Sequence, residues 1–124
     1  MASPDHKLVL TAIHASFLAG ILSFFALTVY LAPDPGDAPA WTRWSWLVVT
    51  AAAVFGVGYA RGRLPRAAPP ERVRGIAIAM WALAEGSALF GIVCMWMSGS
   101  IAPALGASLV SVVLLMLHRP STLS

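Results

Sequence analysis

One residue stands out for chemistry. Glu85 is a lone carboxyl inside a long apolar run, eleven positions after Arg74. At about 1.5 Å of rise per helical residue it stands some 16 Å from that arginine. If the run crosses a bilayer, that depth is close to the middle of a hydrocarbon layer about 30 Å thick. An ionised carboxylate there costs about 3 kcal/mol on insertion scales. Two arrangements remove the cost. The group can keep its proton, or it can face a polar partner or water within a protein interface. Its neighbours at three and four positions are Trp81, Ala82, Ala88 and Leu89. These four are the expected lining of the site, and the two alanines leave room for another helix or for water. None can neutralise a carboxylate, and no Lys or Arg occurs at comparable depth. Glu85 is therefore read either as a proton- or cation-binding carboxyl or as a protonated group bonded to a Ser or Thr of another helix.

Other candidates carry less. His14 lies about two turns into the first apolar run, and His118 lies at the end of the last. Two facing histidines on a bundle can hold a haem, but the depths differ, so no cofactor is expected. No Cys, His and carboxylate cluster marks a metal site. Cys94 is the only cysteine and reads as a small buried apolar residue. No hydrolase, phosphate-binding or dinucleotide motif is present; Gly56-Val57-Gly58 lacks the third glycine and the strand context. Non-enzymatic function is the expectation.

The elements that must position Glu85 follow from composition. The 124 residues are 59% hydrophobic and 10% charged, against about 25% charged in ordinary soluble domains. Four apolar segments separated by breakers predict an all-α chain, a single transmembrane four-helix bundle spanning residues 1–124. The helices are expected at about 7–31, 42–59, 72–97 and 103–117. Each comes near the roughly 20 residues that span hydrocarbon. The first is longer than a signal-peptide core and is read as a membrane helix. The Pro- and Asp-rich stretch 33–39 and Ser98-Gly99-Ser100 separate the first pair and the last pair. Short connections predict up-down-up-down topology. Barrel strands are excluded by length and by the lack of alternation.

Five of the eight basic residues, Arg61, Arg63, Arg66, Arg72 and Arg74, fall between the second and third segments. This cluster predicts a cytoplasmic middle loop and a contact for anionic lipid headgroups. Lys7 and Arg119 place both termini on the same side, in the inner membrane of a bacterium by compositional style. No aromatic residue interleaves with the arginines to stack on bases, so nucleic acid is not an expected partner. Small residues recur four apart, as in Ser16 and Gly20, Ala52 and Gly56, and Ser87 and Gly91. Such pairs support close helix packing within or between chains.

The stretch Arg74-Gly75, Glu85 and Phe90-Gly91 resembles the second helix of the c subunit of F-type ATP synthases, over roughly Phe55 to Met97. Arg63-Leu64-Pro65 stands where that family has Arg-Gln-Pro. The resemblance implies that Glu85 is an ion-carrying residue. The chain departs from the family in having four predicted helices, few glycines in the second, a longer loop, and Trp81 beside the carboxyl. Two functions are expected from these features. One is proton or cation binding or translocation within a homo-oligomer or larger complex. The other is a non-catalytic accessory subunit of a larger inner-membrane complex. A small multidrug-type transporter would place its Glu in the first helix, not the third.

Overall fold

Proline, glycine and serine set half of the helix ends. In the computed structural model, which describes residues 4–31, 40–64 and 69–122, four α-helices and a short 3-10 helix appear and no strand. Helix α1 (Pro4–Tyr30) and helix α3 (Pro70–Ser98) each open on a proline followed by an acidic residue, Asp5 or Glu71. Proline lacks the N–H that a first turn cannot use, and the acid meets the positive end of the helix dipole. Helix α3 stops at Gly99, whose φ of 72° is left-handed and whose N–H bonds to the Met95 carbonyl. A glycine accepts this conformation without strain. Helix α4 (Ile101–Leu117) is capped at once by Ser100, whose Oγ accepts from the Ala102 N–H at 3.4 Å. Helix α2 spans Trp41–Gly62, and the 3-10 turn η1 spans Pro120–Thr122.

The helices overrun most of the expected ends. Arg61 belongs to the last turn of α2 and Arg63 to its C-cap. Arg72 and Arg74 stand in the first turns of α3. The arginine cluster is therefore carried mainly on helix ends rather than in a loop. A basic residue near a helix C-terminus is favoured by the dipole, which makes Arg61 a continuation and not a stop. Arg66 and the stretch 33–39 lie outside the described residues.

Helix directions alternate. Thr28 of α1 pairs with Trp96, and His14 with Trp81, so α1 and α3 run in the same sense. Thr50 of α2 pairs with Ser87, and Ser45 with Cys94, so α2 runs against α3. His14 bonds to Leu115, so α4 runs against α1. Neighbour relations differ from those expected of a chain-order bundle. The α3–α4 hairpin is the centre; α1 packs on both of its helices, and so does α2, while α1 and α2 make no comparable contact. The reason lies in the small residues of the hairpin. A Cβ on Gly91 would stand 2.5 Å from both Ala107 Cβ and the Pro103 carbonyl oxygen. Such close approach gives the hairpin its own seam.

The main core gathers Leu10, Ile21, Val57, Met80, Trp81 and Leu115 from all four helices. A second cluster joins Ile92, Met95 and Ala104, with Phe25 and Leu89 against it. Outside this core the surface stays apolar. Phe24 is 51% exposed, Phe55 79%, Val93 52% and Leu109 58%. Among the described residues two helices, α1 and α3, are long and apolar enough to cross a membrane; α4 is apolar over 17 residues. Only 17% of the apolar stretch of α1 is buried inside the chain. A helix that is apolar all round and mostly uncovered needs lipid or another protein around it.

Candidate functional site

Glu85 sits near the middle of α3, which begins at Pro70 and ends at Ser98. The side chain is half-buried and leans on α1. The contact depends on an absent side chain. A Cβ on Gly20 would fall 2.7 Å from Glu85 Oε1, so the carboxyl occupies the space that glycine leaves on α1. Ile13, Ser16 and Phe17 of α1 complete a groove of about 210 Å³ around it, open at the side of the bundle. Ser16 Oγ donates to the Ala12 carbonyl at 2.9 Å, a bond within its own helix. Its lone pairs remain available to accept from a protonated carboxyl. No ion pair of Glu85 is found among the described residues, and no group of His, Cys, Asp and Glu among them could hold a metal ion.

The four residues expected to line this groove do not line it. Trp81 is buried against α1 and α4: its ring stands 5.0 Å from His14 and 6.4 Å from Phe17. Its Nε1 donates to the His118 carbonyl at 2.9 Å. Ala82 faces the other side, in an apolar groove of about 550 Å³ between α2 and α3 that also holds Ala52, Ala79 and Gly86. Ala88 is wholly buried in the main core. Leu89 packs on the second cluster. The four spread round α3: Trp81 and Ala88 face the main core, Ala82 the groove toward α2, and Leu89 the second cluster. The residues that do meet Glu85 come from a helix some 65 positions earlier. Their signal in the sequence was the Ser16 and Gly20 pair, which marks close packing without naming its partner.

The remaining polar groups inside the bundle are mostly matched. His14 Nε2 bonds to the Leu115 carbonyl at 2.7 Å, bridging α1 and α4. Ser111 Oγ donates to the Ala84 carbonyl at 2.6 Å, and Ser87 Oγ to Thr50 Oγ1 at 3.2 Å. The Ser87 bond lies on the α2 side, away from Glu85. At the arginine-bearing end, burial first and the Arg61 charge second hold His118 below the ordinary histidine range.

Over the described residues the chain is all-helical, with two candidate spans and a carboxyl near the centre of its third helix. No family model, curated protein or solved structure matches it.

Proposed function

We propose that the chain is a small polytopic protein of the inner membrane and that Glu85 takes up and releases a proton or cation at its side. All four helices would cross the bilayer, with both termini and the arginine-bearing end in the cytoplasm. The position of Glu85 carries this reading: a mid-helix carboxyl in a laterally open groove, against the bare backbone of Gly20. A carboxyl built only to tie two helices together would be enclosed and matched. One that opens sideways can meet a neighbouring subunit, where a homo-oligomer or a larger complex would complete its surroundings. The partial likeness of α3 to the ion-carrying helix of rotary ATP synthases points the same way, through Arg74, Glu85 and Gly91.

The test uses a lipophilic carbodiimide on native membranes, with labelled residues located by peptide mass spectrometry. Carbodiimides attack the protonated carboxyl. Glu85 is expected to label in preference to exposed Glu71, and labelling should decline as pH rises from 5 to 9 over about one decade per unit once the proton is lost. Labelling that stays flat across that range would identify a permanently protonated packing residue. The accessory-subunit reading is favoured by the uncovered apolar face of α1. It would be preferred if Glu85→Gln left growth unaltered while the protein co-purified with larger chains at fixed stoichiometry.

A further inference from the structure

A second groove lies at the arginine-bearing end, between α1 and η1. It measures about 300 Å³ and is lined by Lys7, Leu10, Thr11, Pro120 and Ser121. Its chemistry is that of a site for an oxyanion. Lys7 brings an ammonium and Thr11 a hydroxyl. Arg119 Nε donates to Ser121 Oγ at 3.0 Å, which places the guanidinium beside the groove and leaves the Ser121 hydroxyl hydrogen to donate elsewhere. Among the described residues no acidic side chain lines the groove.

Its surroundings decide what kind of oxyanion. Leu10, at its base, is wholly buried in the core. Next to Lys7 along the chain, Leu8 is 68% exposed, and just before His118, Leu117 is 63% exposed. The groove therefore sits at the border between the uncovered apolar surface and the basic end. That border is where the phosphates of a bilayer meet the acyl chains. A free anion would have no use for the apolar neighbours; a phospholipid uses both.

We infer that the groove between α1 and η1 seats the phosphate of an anionic phospholipid headgroup, held by Lys7 and Arg119 with Thr11 and Ser121 donating, while its chains lie along Leu8 and Leu117. This site is separate from Glu85 and does not depend on its role; it rests on the membrane location proposed above.

Lys7 is the only lysine of the chain, which makes the test clean. The purified full-length protein in mild detergent is treated with an amine-reactive ester, and modification at Lys7 is followed by peptide mass spectrometry. Phosphatidylglycerol is expected to slow modification about fivefold, the effect of one cation near an anionic headgroup. Diacylglycerol of the same chains and millimolar inorganic phosphate should leave the rate unchanged. Arg119→Gln should weaken the protection by about the same factor, whereas Arg72→Gln, an equal loss of charge at the same end, should keep it. Because wild type alone gives the first result, the test survives poor folding of a variant. Protection by diacylglycerol, protection by phosphate alone, no protection by phosphatidylglycerol, or equal loss in both variants would each overturn the assignment.

Discussion

At the scale of single residues, Glu85 and Gly20 form one unit. The carboxyl tip is the flexible end of a side chain, so an added methyl at position 20 can push it aside without moving a helix. Gly20→Ala also gains up to about 1 kcal/mol of helix propensity. The expected outcome is a protein whose thermal midpoint is unchanged or slightly raised, but whose Glu85 reacts with carbodiimide at a rate altered roughly threefold or more, equivalent to half a pKa unit. If both midpoint and reactivity match wild type, the carboxyl is not held against α1. At this scale the sequence was informative about one half of the site only. A lone acid in an apolar run is visible from composition. Ser16, Phe17 and Gly20 are ordinary residues for an apolar helix, and nothing local says that this stretch of α1 meets position 85. Trp81 misled for a related reason: it is one turn from Glu85 but turns its ring toward His14 and His118.

Elements were legible through their punctuation. Gly99 and Ser100 fall in the break expected between the last two helices, while Pro70 opens α3 two residues before the expected start. Arg61 was harder, because a charged residue looks like the end of an apolar segment although the helix dipole welcomes it in a last turn. Which helices touch was not legible, since small-residue pairs occur on every helix. The structure ranks them by what each glycine faces. Gly91 meets backbone and a Cβ of α4, neither of which can yield. Gly58 meets nothing within 4 Å. Gly91→Ala should therefore destabilise by about 3 kcal/mol, the upper part of the overpacking range, while Gly58→Ala should be neutral or stabilising by up to about 1 kcal/mol. Thermal or chemical denaturation in detergent, followed by helicity, measures both. Equal effects would mean that the α3–α4 seam is not the tight one. Ser111 adds a polar tie across the same seam, through its bond to the Ala84 carbonyl. Within a membrane such bonds contribute about 0.6 kcal/mol on average, so the seam rests chiefly on close packing.

For the molecule as a whole, the deciding feature is what surrounds it. Soluble bundles hide their apolar stripe and show polar faces. Here residues such as Phe24, Phe55, Val93 and Leu109 look outward from all four helices. A contiguous surface of this kind on a free soluble protein would drive aggregation; in a bilayer it needs no partner. The alternating helix directions bring Lys7, Arg61 and His118 to one end, with η1 packed on α1 there. On the membrane reading proposed above, the positive-inside tendency would put that end in the cytoplasm. Arg43, near the start of α2, is the one basic residue at the opposite end, and it competes with six at the first end among the described residues. A small epitope inserted within 32–39 should accordingly be accessible from outside intact spheroplasts, while epitopes before Met1 and after Ser124 should be reached only after the membrane is opened. The protein should also stay in the membrane pellet through alkaline carbonate washing. If the 32–39 epitope were found inside with the termini, α1 would not cross, and the carboxyl of Glu85 would have lost the helix against which it rests.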